Sequence, residues 1–201
     1  MIISGLMVKI TTDRKIAIYA PSGYGKSYLA DYIVGGIKVP IYLYDTDLEA
    51  SKGVYFKYSH VHIYKPPIEK AEDLGHLSRY IMRILTTSNC FIYVEDLDLF
   101  FDTDTQMSKK ASIIKYLASK GRHHRIGFIY TAKQLSHIPT KLRANTNLIY
   151  IGYYDDALEK DRIKKTLGKE SYEQYYTKLD PKKHEFIELD TVARTIRIVN
   201  V

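Results

Sequence analysis

A chain of 201 residues, 45% hydrophobic and 26% charged, has the composition of an ordinary globular protein and can bury a substantial core as one domain. No apolar run reaches the ~20 residues of a membrane span, and the N-terminal MIISGLMVKITTDRK lacks the marks of a secretory leader. An intracellular chain with no transmembrane segment is therefore expected. The single cysteine, Cys90, excludes an internal disulfide and a multi-cysteine metal site, and the net charge of +7 favours a polyanionic partner, nucleic acid or an anionic membrane, over a neutral one.

Short β-rich runs alternate with amphipathic helical patterns, as in βαβ units. Lys15-Ile16-Ala17-Ile18-Tyr19 predicts a buried strand that ends in a Gly-rich turn. Leu29, Tyr32, Ile33 and Ile37 then recur at helical spacing. Pro40 to Tyr44 predicts a second strand, closed by Asp45-Thr46-Asp47, and residues 54–64 suggest additional strand. Leu74, Leu77, Ile81 and Ile84 share one helical face that Asp73 can cap. Cys90 to Val94 is a continuous apolar strand, with Cys90 expected in the core. Met107, Ala111, Ile114 and Leu117 predict a helix stopped by Gly121, followed by strands over 125–130 and 148–153. Helices are expected at about 156–167 and 170–179, and alternation on both sides of Asp190-Thr191 predicts a β-hairpin over 184–200. The fold class is α/β: a three-layer αβα sandwich on a mostly parallel sheet with a C-terminal β-hairpin. Residues 1–201 are read as one domain, with the core at about 15–152 and the helical segment and hairpin at 153–201.

The strand-to-helix turn Ala20-Pro21-Ser22-Gly23-Tyr24-Gly25-Lys26-Ser27 carries the chemistry. It follows the P-loop pattern, in the strand–turn–helix context that pattern requires. Gly23 and Gly25 permit torsions that aim successive N–H groups inward, and those groups, with the helix N-terminus, grip phosphate oxygens. Pro21 to Tyr28 are therefore the expected nucleotide-binding residues, with Lys26 a charge for the β/γ-phosphates and Ser27 a Mg²⁺ ligand. Ala20 stands where the pattern has its first glycine.

Such a loop needs carboxylates for the metal and for the attacking water. Phe91-Ile92-Tyr93-Val94-Glu95-Asp96 supplies an apolar strand and then two acids. Glu95 is the candidate for the Mg²⁺-associated position and Asp96 for the water-activating one, an order opposite to the usual Asp-then-Glu. Asp98 is read as structural, and Asp45 and Asp47, at the same sheet edge, as turn-forming residues or as contacts to the metal shell or a neighbour.

The order of P-loop, acidic strand end, helix and then Lys120-Gly121-Arg122-His123-His124-Arg125, Tyr130-Thr131-Ala132-Lys133-Gln134 and Ile138-Pro139-Thr140-Lys141-Leu142-Arg143-Ala144-Asn145 resembles the FtsK–HerA superfamily of DNA-translocating ATPases. The likeness extends to genome-packaging ATPases of viruses with an internal membrane, including those of archaeal viruses such as the Sulfolobus turreted icosahedral viruses. It covers about residues 15–152. The resemblance implies ATP and Mg²⁺ as cofactors and Arg122 as an arginine finger acting in a neighbouring subunit, with Arg125 and Arg143 as fallbacks. It also implies a polar sensor, for which Gln134 is favoured over the aligned Lys133. A homo-oligomeric ring, hexameric or pentameric, would act on double-stranded DNA without reading sequence and would meet a capsid or portal-vertex protein. The expected location is the host cytoplasm during assembly, with retention at the virion vertex a further option. Lys109, Lys110, Lys115, Lys120, Lys164, Lys165 and Lys169 are candidate phosphate contacts. Two other classes compete: a small-molecule or nucleotide kinase, and a nucleotide-gated DNA-binding or partitioning protein.

Overall fold

The structure is a computed structural model, and it describes residues 10–46, 57–101 and 112–200. Among the described residues eight strands form one sheet: β1 (Lys15–Tyr19), β2 (Ile41–Tyr44), β3 (Val61–Tyr64), β4 (Cys90–Val94), β5 (Ile126–Ala132), β6 (Leu148–Ile151), β7 (Glu185–Asp190) and β8 (Thr195–Asn200). Their spatial order is β3-β2-β4-β5-β1-β6-β7-β8. The first six pair parallel, and β7 and β8 add antiparallel at one edge. Every residue of β1, β4, β5 and β6 is buried. This is why their sequences are continuous apolar runs rather than alternating ones.

The helices are α1 (Lys26–Gly36), α2 (Leu74–Ile84), α3 (Ser112–Lys120), α4 (Thr140–Ala144), α5 (Ala157–Leu167) and α6 (Lys169–Gln174). On one face α1 packs Leu29, Ile33 and Val34 against Ile16, Ile18, Phe91 and Ile129. On the other, Leu77 and Ile81 of α2, Ile114 and Leu117 of α3 and Ile163 of α5 cover Ala17, Tyr19, Ile92, Phe128 and Tyr130. Cys90 is fully buried, and burial pushes its thiol up to about 11, which leaves it unreactive near neutrality.

Local signals match the elements they predicted. Asp73 caps α2 by accepting the Gly75 amide at 2.7 Å. Gly121 opens a 3-10 turn directly after α3. The extra strand expected over 54–64 is Val61–Tyr64; Asp47, residues 54–56, Met107, Lys109, Lys110 and Ala111 lie outside the described residues. The helix expected over 170–179 divides into α6 and a 3-10 turn, Tyr176–Lys178. Tyr176 turns inward there, and its hydroxyl oxygen accepts the Tyr154 amide at 2.9 Å. The five-residue α4 is too short to show a helical period. Among the described residues, no helix is long and apolar enough to cross a membrane.

Phe91 of β4 sits opposite Gly127 of β5, and its ring occupies the space a side chain would need. A Cβ on Gly127 would fall 2.2 Å from Phe91 Cε1. Gly127→Ala should therefore displace the ring and lower stability by about 1–3 kcal/mol. Urea unfolding checks this; an unchanged midpoint would show that the sheet absorbs the methyl group.

Candidate nucleotide site

The chain leaves β1 in one direction along the sheet, toward β2, and leaves β5 in the other, toward β6. A crevice opens at the carboxyl ends of strands so arranged. The turn 20–25 lies there, pinned on both sides: the Ala20 amide donates to Ala132 at the end of β5, and the Gly152 amide beyond β6 donates to Tyr19. Gly23 and Gly25 have φ of 76° and 95°, torsions that glycine adopts without steric cost. The loop thus delivers α1 with its N-terminus at the crevice. The contrast between helices is informative. Asp73 and Asp156 cap α2 and α5, whereas no side chain caps α1 and its first turn holds no acid. An uncapped helix start with a positive dipole end suits an anion. Lys26 is 8% exposed, and its ammonium donates to the carbonyls of Ala20 and Pro21 at 2.8 and 3.1 Å. These contacts hold it in the mouth of the loop. Ser22, Gly23, Ser27 and Tyr28 are exposed around it.

Tyr24 turns the other way. Its ring packs edge-on against Phe186, and its hydroxyl donates to the Glu185 carbonyl at 2.8 Å. Gly152 makes room for this: a Cβ there would lie 2.6 Å from Tyr24 Cδ1 and 2.8 Å from the Ala20 Cβ. The methyl of Ala20, the departure at the first loop position, is therefore matched by a glycine opposite.

At the end of β4, Glu95 and Asp96 are buried. The Thr46 hydroxyl donates to the Glu95 carbonyl at 2.6 Å, and the Tyr93 hydroxyl to its carboxylate at 3.3 Å. Asp96 has a left-handed backbone, φ 42°, a region that Asp tolerates better than Glu. That torsion gives a local reason for the Glu-then-Asp order. The Asp96 amide donates to the Thr131 hydroxyl at 2.8 Å, and its carboxylate meets the Lys133 ammonium at 2.9 Å. Hard oxygen donors of this kind, with the Ser27 hydroxyl across the crevice, fit Mg²⁺.

The segment after β5 is gripped by two buried acids that the sequence did not single out for this role. Asp98 accepts the amides of Lys133 and Gln134 at 3.0 and 3.3 Å, and Glu159 of α5 accepts those of Leu135 and Ser136 at 3.0 and 3.2 Å. Four successive N–H groups are thereby satisfied by carboxylates rather than by backbone. Burial, and then the nearby Asp96, raise the Asp98 carboxyl above its ordinary value. The sequence signal at Glu159 pointed elsewhere: Asp156-x-x-Glu159 has the spacing of a capping box. Asp156 does accept the Glu159 amide at 2.8 Å, while the Glu159 side chain turns to the 135–136 amides.

Lys26, Ser27, Glu95, Asp96, Lys133 and Gln134 thus lie at one edge of the sheet. Arg122 does not. It is exposed in the turn before β5, at the opposite end of a seven-residue strand, about 20 Å away at ~3.3 Å per residue. Its guanidinium, after burial, helps lower the Lys15 ammonium at the start of β1. Arg125 is exposed at the same edge, and Arg143 lies on α4. Arg143 lines a separate cavity of about 730 Å³ with Tyr19, Thr140, Arg162 and Lys165. Lys115, Lys120 and Lys169 are exposed, whereas Lys164 and Lys165 pair with Glu173 and Asp161 at 3.5 and 2.6 Å.

Parallel order, crevice and loop together are those of the P-loop ATPase fold. No protein-family model matches the chain, and no curated protein matches its sequence. Solved structures do. The genome packaging NTPase B204 from Sulfolobus turreted icosahedral virus 2, in complex with ATP-gammaS, superposes with a TM-score of 0.74 at 17% identity, covering 95% of this chain and 98% of that one. B204, the DNA-packaging ATPase from Sulfolobus turreted icosahedral virus, gives the same values: TM-score 0.74, 17% identity, 95% and 98%. EssC (ATPases 2 and 3) from Geobacillus thermodenitrificans gives 0.60 at 17% identity, covering 94% of this chain and 39% of that one. At these identities the likeness is one of fold.

Removing the Glu159 carboxylate strands two buried amides. Glu159→Ala should lower stability by about 3 kcal/mol, read from the urea midpoint. A loss no larger than that of an exposed-site control such as Glu170→Ala would mean that the 135–136 amides find other partners.

Proposed function

We propose that the chain is an ATP-hydrolysing motor of the FtsK–HerA type that moves double-stranded DNA into a preformed viral capsid. The observation that carries this reading is the juxtaposition of the Ala20–Ser27 turn at the end of β1 with the carboxylates at the end of β4, with Lys133 at the end of β5 between them. The fold shared with viral packaging ATPases, one of them bound to an ATP analogue, supports it.

In this account residues 1–201 act as one domain. The N-terminal amides of α1 and the Lys26 ammonium hold the β- and γ-phosphates. Ser27 and Glu95 hold Mg²⁺, which when bound neutralises charge on the phosphoryl oxygens. Asp96 orients the attacking water and takes up its proton; to do so it exchanges its contact with Lys133. Gln134 is the γ-phosphate sensor, with Lys133 as the fallback. Arg122 lies too far from its own site to serve it, which suits delivery to the next subunit of a ring of five or six. A guanidinium there stabilises charge in the transition state. Lys115, Lys120 and Lys169 supply sequence-independent DNA phosphate contacts. Assembly takes place in the host cytoplasm against a capsid or portal-vertex protein.

One observation favours the nucleotide-gated DNA-binding alternative. The Lys133–Asp96 ion pair engages the carboxylate that hydrolysis requires, and a chain that kept it throughout would bind nucleotide and turn over little.

ATPase assays with and without double-stranded DNA decide between them. The motor reading predicts DNA-stimulated hydrolysis that falls at least ~10³-fold in Arg122→Ala and is abolished in Lys26→Ala. Mixing those two variants should restore part of the activity, because Lys26→Ala subunits still lend a finger to intact sites. Normal hydrolysis by Arg122→Ala in every assembly state contradicts the finger assignment. ATP-dependent DNA retention without measurable turnover favours the gated protein instead.

A further inference from the structure

A bound nucleoside triphosphate has two distinguishable ends, and the sheet order orients them. This inference rests on the phosphate-cradle reading above. The phosphate to be cleaved must face Glu95, Asp96 and Lys133, which lie on the β4–β5 side of β1. The sugar and base then leave on the other side, toward β6 and β7. The wall there is the turn that enters β7. His184, its last residue, is exposed and has a left-handed backbone, φ 50°, with which it closes the 3-10 turn Pro181–Lys183. Its side chain lies against the phosphate loop. The imidazole lies edge-on to the Tyr24 ring at 5.7 Å, and its Nδ1 is 3.2 Å from the Tyr24 carbonyl. A Cβ on Gly25 would be 3.8 Å from His184 Cβ and Nδ1. The next residue, Glu185, accepts the Tyr24 hydroxyl, so the loop and this turn form one unit.

The chemistry of the ring follows. A carbonyl oxygen only accepts, so Nδ1 carries the hydrogen in this contact. The Nε2 of the neutral ring is then left with a lone pair on the exposed edge. An acceptor held beside the middle of the phosphate loop, on the side away from the acids, is within reach of the sugar rather than the reacting phosphate. We infer that His184 is a nucleotide-binding residue whose Nε2 accepts a hydrogen bond from a ribose hydroxyl, so that the hairpin supplies a subsite for ribonucleoside 5′-triphosphates.

Calorimetric titration of the full chain with ATP, 2′,3′-dideoxy-ATP and tripolyphosphate, each with Mg²⁺, tests this. Wild type, His184→Ala, His184→Asn and Lys26→Ala are compared; asparagine tolerates the left-handed backbone. His184→Ala and His184→Asn should each weaken ATP binding about tenfold, the loss of one good hydrogen bond, and leave tripolyphosphate within twofold. Dideoxy-ATP should bind wild type about as weakly as ATP binds the variants, and should lose little more in them. Unchanged ATP affinity in both variants overturns the inference, as does an equal loss for tripolyphosphate, which would mean that His184 only shapes the loop. Dideoxy-ATP binding as tightly as ATP overturns the sugar assignment. The underlying reading fails separately: it falls if Lys26→Ala leaves both ATP and tripolyphosphate binding intact, whatever the His184 variants do.

Discussion

The arrangement depends on how the chain turns at the carboxyl end of β1. A strand buried on both faces must give way within a few residues to a helix, and Gly23 and Gly25 make that possible by adopting φ of 76° and 95°. The turn is closed by bonds to both neighbouring strand ends, Ala132 and Gly152. It leaves the first amides of α1 without a side-chain cap. Such a helix start is completed by an anion more readily than by water, and Lys26, folded into the same mouth, supplies the matching charge. The acids, the segment after β5 and the hairpin are all disposed about this point.

Around it, buried charge is used to hold backbone in place. Asp98 and Glu159 come from different parts of the chain, yet between them they hold four consecutive amides. A carboxylate so employed keeps its hydrogen-bond partners in the interior, where leaving them unmet is costly. The consequence is mechanical. The backbone that carries Lys133 is tied to the strand end bearing Asp96 and, through Glu159, to α5. The residue paired with Asp96 is thereby anchored to α5. On the other flank Tyr24 ties the phosphate loop to the hairpin.

Much of this was legible in the sequence because the signals were local. Buried strands betray themselves as apolar runs, so β1, β4, β5 and β6 could be read directly, and the P-loop declares itself by its glycines and Lys26. Glu95 and Asp96 were legible as acids ending such a run. Their reversed order becomes intelligible once the backbone of Asp96 is known to be left-handed, a torsion that no spacing rule encodes. The unforeseen features are those set by contacts between distant segments. Glu159 reads as part of a helix cap, and nothing near it in sequence shows that its side chain reaches Leu135 and Ser136. His184 lies 159 positions beyond Gly25 in the sequence, and only the antiparallel addition of β7 to β6 brings the two together. Tyr24 reads as one of the variable loop positions, and its role as a wedge depends on Gly152 lacking a side chain.

The claim that residues 20–27 and the end of β4 form one nucleotide site is tested most directly by a crystal structure with Mg²⁺ and a non-hydrolysable ATP analogue. The account predicts a β- or γ-phosphate oxygen within hydrogen-bond distance of Lys26 Nζ, the metal about 2.1 Å from the Ser27 hydroxyl, and the terminal phosphate facing Glu95 and Asp96. A nucleotide seated instead in the cavity beside α4 and α5, against Arg143 and Arg162, would contradict it.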